Sequence, residues 1–174
     1  MELSQITISD SEFKKSNSLW LCEYSRTCFP DYKKYPWTNI KTVINLHMIK
    51  KDNEILQDYK KNNIMSFDFP IRDDPTKNIL GVARHVFHTI NRGLINGDVV
   101  IHCRAGVSRS PAVVAYYLTH TLFISLREAL NKIKETRPFI DINIGFWNIL
   151  YLDAEIISFF KNEKICNLVM AYIG

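Results

Sequence analysis

The stretch from Asp98 to Pro111 constrains this chain more than any other. Asn96, Gly97 and Asp98 turn the backbone into Val99, Val100 and Ile101, an apolar run of the kind found in strands buried on both faces. After His102 the composition switches to a loop of small side chains, from Cys103 to Ser108. Ser110 and Pro111 then open a helical pattern, with proline in the first turn, where its missing N–H costs little. A buried strand that passes through a short loop into a helix predicts an α/β fold.

The rest of the chain agrees with that expectation. Leu19–Cys22, Thr42–Leu46, Ile64–Phe69 and Val99–His102 read as strands. From about Thr76 to Leu94, Ile79, Val82, Ala83, Val86, Phe87, Ile90 and Leu94 recur at helical spacing. Ser125 and Glu128 form a capping-box pattern for a helix ending before Pro138. A last helix covers roughly Gly145 to Phe160. The predicted fold is a central, mostly parallel sheet flanked by helices. The 174 residues suit one domain, 1–174, with its core at about 17–160. An apolar tail, Ile165 to Ile173, reads as a packed helix in preference to a partner-binding surface.

Composition narrows the function. Apolar residues make up 47% and charged residues 23%, as in ordinary globular proteins, and the net charge of +4 is spread in pairs such as Lys33-Lys34 and Lys60-Lys61. That excess favours an anionic substrate without marking a nucleic-acid protein. The N-terminal residues lack a basic and then apolar signal pattern, and no apolar run is long enough to span a bilayer. Cys22, Cys28, Cys103 and Cys166 form no CxxC pair or zinc-type spacing, and there is no N-x-S/T sequon. These features predict an intracellular protein, cytoplasmic or nuclear, with free thiols; no metal-site spacing is present, and no cofactor is expected. His85 and His88 lie three apart on a helix with no carboxylate or third ligand in the pattern, and read as helix-face residues.

The loop itself predicts an anion cradle. Backbone N–H groups of Arg104, Ala105, Gly106, Val107, Ser108 and Arg109 can point inward, beside the positive end of the following helix. Gly106 allows a backbone angle that a side chain would hinder. Thiols at helix N-termini or beside cations ionise more readily, and thiolates are the nucleophilic form. Cys103 is therefore the candidate nucleophile. Arg109, six positions on, can return across the loop and bind two oxygens of a phosphoryl group with its planar fork. Ser110 can donate its hydroxyl to the sulfur, and His102 can brace the loop backbone. Taken singly, each has a plainer reading: a buried small thiol, a surface arginine, a helix cap, a core histidine. Their joint spacing in a strand–loop–helix context favours the chemistry.

Residues 102–110, HCRAGVSRS, fit the H-C-x-x-G-x-S-R-S motif of dual-specificity phosphatases in the protein tyrosine phosphatase superfamily, which the chain resembles over roughly residues 17–155. Leu19, Trp20 and Leu21 resemble the family's L-Y-L-G strand, with Cys22 in place of glycine. Ile40 to Leu46 resembles its second strand, Pro70 to Asp73 its P-x-x-D segment, and Asn143 to Phe146 its N-x-G-F segment. Ala112 stands where many members have threonine, and Ile149 where many have glutamine. The chain is similar to the small stand-alone members.

The resemblance implies metal-free hydrolysis through a phosphocysteine, with a loop aspartate as general acid and then base. Asp73 holds the motif position. Asp74 precedes Pro75 and reads instead as a helix N-cap with proline at N1. Asn143 resembles the residue that braces the phosphate loop, with a plain N-cap as the competing reading. The implied partner is a phosphoprotein bearing phosphotyrosine and phosphoserine or phosphothreonine. RNA 5′-phosphates and phosphoinositides are the alternative substrates, ranked lower because Arg104 is the one extra cation in the loop. A non-catalytic phosphate-binding module ranks last, since Cys103, Arg109 and Asp73 are all present. The pattern leaves oligomeric state open.

Overall fold

A computed structural model describes residues 4–6, 17–24, 39–49 and 53–161. Cys28, Cys166 and the apolar tail lie outside them. The elements run β1 (Ser4–Ile6), β2 (Leu19–Glu23), β3 (Ile40–Asn45), α1 (Asn53–Lys61), β4 (Met65–Asp68), α2 (Ile79–Asn96), β5 (Asp98–Cys103), α3 (Arg109–Leu122), α4 (Leu126–Thr136) and α5 (Ile144–Lys161). The strands form one five-stranded sheet in the order β1-β2-β5-β3-β4. β5 lies at its centre, parallel to both β2 and β3, and β4 is parallel to β3. Only β1, paired to β2, runs antiparallel. The predicted mostly parallel sheet flanked by helices is what the chain forms.

Every residue of β5 is buried, which explains its unbroken apolar run. Val99 and Ile101 face the main core with residues of α2, α3, α4 and α5. Val100 points the other way, into a smaller cluster with Cys22, Ile40, Val43 and Tyr59 of α1. α3 is packed by α2, α4, α5 and β5, so its residues from Arg109 to Thr119 are all buried. The strand–loop–helix unit thus sits at the middle of the molecule, and its loop opens at the C-terminal edge of the parallel strands, where α/β sheets bind ligands.

Several boundaries differ from the sequence reading. α2 begins at Ile79 rather than Thr76, because Asn78 caps it, its side chain accepting from the N–H groups of Leu80 and Gly81. Asp74 is therefore not a helix N-cap. Its carboxylate accepts from the Thr76 N–H and hydroxyl, both at 2.8 Å, inside a turn closed by Lys77 N–H to the Asp74 carbonyl. The Ser125–Glu128 capping box forms as predicted. α1 carried little signal: Tyr59 is its one buried residue. β1, three residues long, is shorter than a periodicity can register. No helix among the described residues is long and apolar enough to cross a membrane.

Asp98 anchors the start of β5. Its buried carboxylate accepts from the Ser18 N–H at 2.8 Å, the Trp20 indole N–H at 2.9 Å and the Asn39 amide at 3.0 Å. Asp98→Ala strands those donors at the base of the central strand and is expected to cost about 3 kcal/mol. Urea unfolding followed by circular dichroism measures this; a loss under about 1 kcal/mol would mean that water replaces the carboxylate.

Candidate active site

The loop after β5 is held by its carbonyls. The Cys103 carbonyl accepts from His102 Nδ1 at 3.3 Å, which requires the proton on that nitrogen. The Arg104 carbonyl accepts from the Tyr24 N–H at 2.9 Å. The Ala105 carbonyl accepts from Arg137 Nη2 at 3.1 Å and the Gly106 carbonyl from Arg137 Nε at 2.7 Å. The Val107 and Ser108 carbonyls accept from the Asp141 and Ala112 N–H groups, each at 2.9 Å. In a planar trans peptide the carbonyl and the next N–H point in opposite directions. Anchoring these carbonyls outward therefore turns the N–H groups of Arg104 through Arg109 toward the inside of the loop. That is a site for a tetrahedral oxyanion, and the α3 N-terminus adds its dipole.

Cys103 ends β5 beneath this loop, 1% exposed, and its Sγ accepts from the Ser110 hydroxyl at 3.2 Å. The buried Arg109 guanidinium is fixed through Nη1, which donates to the Ile71 carbonyl at 3.2 Å and the Leu46 carbonyl at 3.5 Å. Its Nε lies 3.6 Å from Asp73 Oδ2 and makes no hydrogen bond. With Nη1 occupied, the Nε–Nη2 edge is the fork available to two oxygens. Arg104 and Ala105 are exposed at the rim, and Val107 is half-buried.

Asp73 faces the same space. Its Oδ1 accepts from the Ser108 hydroxyl at 2.6 Å and the Asn143 side-chain amide at 2.7 Å. Asn143 does two jobs at once: its Oδ1 also accepts from the Phe146 N–H at 3.0 Å, capping α5, while its own N–H reaches the Ser108 hydroxyl at 3.3 Å. Gly145 lets α5 press on the backbone of Pro75 so closely that a Cβ would overlap the Pro75 carbonyl. The Asp73 segment is thereby pinned against the helix that carries Asn143. Asp74 points elsewhere, and the Thr76 hydrogen bonds, backbone first, hold its carboxyl below the usual range.

The field of the site is positive. His47, stacked on Tyr24, is pushed to lower pKa first by burial and then by Arg109 and Arg104. Tyr24 stacks on His102 in turn. Cys22, across the ladder from His102, is pushed up to about 12 by burial, against the pull of Arg137. Among the described residues no group of three or more His, Cys, Asp or Glu side chains could hold a metal ion.

The structure brings Cys103, Arg109, Ser110, Asp73, Asn143 and the whole loop together. Three contributors escaped the sequence reading: Arg137, Tyr24, and the Ser108 side chain, expected to matter only through its backbone. Arg137 lies beyond α4 and follows no motif spacing, so nothing local to it points at the loop.

A buried sulfur at the foot of a loop whose carbonyls are bound from outside, with an arginine and a carboxylate nearby, is an arrangement that can hold a phosphate-like oxyanion. The chain belongs to the dual specificity phosphatase catalytic-domain family, which matches residues 19–155. It is 34% identical over 115 residues to the bovine protein named dual specificity protein phosphatase 18, covering 64% of this chain and 56% of that one. It is 40% identical over 69 residues to human dual specificity protein phosphatase 5, covering 39% of this chain and 18% of that protein. These matches span less than two thirds of either relative. The fold is similar to crystalline human DUSP28, with a TM-score of 0.71 at 19% identity, covering 91% of this chain and 96% of that one.

Gly106 sits at φ 65°, and a Cβ there would lie 2.5 Å from Arg137 Nη2 and 2.7 Å from the Cys22 carbonyl oxygen. Gly106→Ala must therefore distort the loop. A tungstate titration should show affinity reduced at least about tenfold, the equivalent of 1.4 kcal/mol. Unchanged affinity would mean that the cradle tolerates a different backbone at Gly106.

Proposed function

We propose that the chain is a protein phosphatase that hydrolyses phosphotyrosine and phosphoserine or phosphothreonine through a phosphocysteine, as one catalytic domain with its core at about residues 17–160. The observation that carries this reading is the Cys103 sulfur, which accepts from the Ser110 hydroxyl at 3.2 Å, at the start of a loop whose carbonyls are bound from outside. Cys103 Sγ attacks phosphorus as the thiolate; the S–P bond forms and the bond to the ester oxygen breaks. Protonated Asp73 gives its proton to that oxygen, which departs as the tyrosine phenol or the serine or threonine alcohol. Loop N–H groups and the Arg109 fork bind the equatorial oxygens most strongly in the transition state. Water then attacks phosphorus, Asp73 takes its proton, and inorganic phosphate and thiolate separate. The Ser110 hydroxyl, already bonded to Sγ, stabilises the sulfur as it leaves.

Cys103→Ser should abolish turnover of a phosphotyrosine peptide while leaving peptide binding largely intact by calorimetry. Retained turnover would exclude the mechanism. Phosphoinositide and triphosphorylated RNA, assayed beside phosphopeptides, rank the substrate classes.

The neighbouring carboxylates separate by leaving group. General acid catalysis is typically worth about 10²–10⁴-fold. Asp73→Asn should lower kcat by about that factor for alkyl phosphates, less for activated aryl phosphates, and should remove the limb of the pH profile that reports the acid. Asp74→Asn keeps an acceptor for Thr76 and should leave rate and profile nearly unchanged. Asp74 is a poor acid for a further reason: its depressed pKa keeps it ionised until the pH falls through that lowered value. A leaving-group-dependent loss in Asp74→Asn alone would transfer the role to Asp74.

A further inference from the structure

We propose that Arg137 is a positioning residue for phosphoryl transfer, orienting the peptides before and after Gly106 from outside the loop. This rests on the phosphatase reading of Cys103. Arg137 is 2% exposed, and its side chain is among the largest fully buried ones. It occupies the C-cap of α4, where its N–H closes the helix on the Ile133 carbonyl at 2.9 Å. From there Nε and Nη2 reach consecutive carbonyls, Gly106 at 2.7 Å and Ala105 at 3.1 Å. The Phe139 ring lies 4.4 Å from Cζ and supports the guanidinium.

Geometry and charge act in the same direction. Fixing the Ala105 and Gly106 carbonyls outward aims the N–H groups of Gly106 and Val107 inward. A cation on those carbonyls polarises the same peptides, so their N–H groups become stronger donors. Its positive charge is felt at Cys22, where it opposes the effect of burial, so it acts across the back of the loop. A planar guanidinium spans adjacent carbonyls with separate nitrogens; an ammonium in the same place is a point charge on a flexible stem. The α4 capping box at Ser125 and Glu128 starts the helix that delivers Arg137 to this point.

The test compares wild type, Arg137→Met, Arg137→Lys and Arg137→Ala. Steady-state kinetics on a phosphotyrosine peptide and tungstate binding by calorimetry are read beside circular dichroism and thermal melting. Donors aimed at the transition state affect kcat more than KM. Removing one such donor outright typically costs about 10²–10³ in kcat. Misaiming the donors in Arg137→Met should cost about 10–10²-fold, with tungstate affinity falling in parallel and KM moving little. Arg137→Lys should be intermediate. Added guanidinium should restore Arg137→Ala, while ammonium at equal ionic strength should not. A folded Arg137→Met with kcat and tungstate affinity within about twofold of wild type overturns the proposal; so does a loss that vanishes once the unfolded fraction is corrected. If the Met and Ala variants do not fold, Arg137→Lys decides: a kcat loss at steady KM supports the role, and wild-type kinetics overturn it. Wild type inactive on all phosphate esters would instead refute the phosphatase reading, leaving tungstate affinity to judge Arg137.

Discussion

The anchoring of the loop carbonyls from Cys103 to Ser108 is the interaction on which the rest depends. Backbone N–H groups can converge on one anion only if their partner carbonyls are satisfied on the outside. Here the outside donors come from separated parts of the chain: Tyr24 after β2, His102 in β5, Arg137 at the end of α4 and Asp141 before α5. A loop that bound its own carbonyls would turn its N–H groups away from an anion. The surrounding fold acts as a collar that fixes the loop backbone. Such preorganisation is what makes electrostatic stabilisation effective, since the dipoles need not reorient during reaction.

The same logic places the charged side chains. Arg109 is held by carbonyls at Leu46 and Ile71, so the end of β3 and the segment carrying Asp73 together set its orientation. Asp73 is held by Ser108 and Asn143, tying it to both the phosphate loop and the α5 N-terminus. Gly145 against Pro75 completes this contact. A change in any of these segments would move Asp73, Arg109 and the loop together. Burial first, and then the cations Arg109 and Arg104, lower the His47 pKa, and its Nδ1 accepts from the Ile49 N–H at 3.4 Å.

Much of the architecture was legible because local chemistry and tertiary role coincide. Val99 to Ile101 can be so uniformly apolar only at the centre of a sheet, and β5 lies there with β2 and β3 on either side. The Ser125–Glu128 box depends on a spacing of three residues and forms accordingly. Elements with little pattern escaped: α1 buries Tyr59 alone, and β1 has three residues. Asp74-Pro75 resembled a helix start, yet Asn78 captured the first free N–H groups of α2 instead. An aspartate before proline serves a turn as well as a helix, and only competition with Asn78 decides between them.

By itself the sequence determined the strand–loop–helix unit and the chemical identity of Cys103, Arg109 and Ser110, because those residues sit within one short segment whose spacing is set covalently. Tertiary structure decided which aspartate lies against Arg109, since Asp73 and Asp74 differ by one residue and opposite environments: one beside Arg109 and Ser108, the other turned onto Thr76. It also resolved Asn143, whose amide caps α5 with its oxygen and holds Asp73 with its nitrogen. Arg137 belongs wholly to this second kind. Its partners at Ala105 and Gly106 are 32 and 31 residues away, and a hydrogen bond across that separation exists only once α4 has packed against α3.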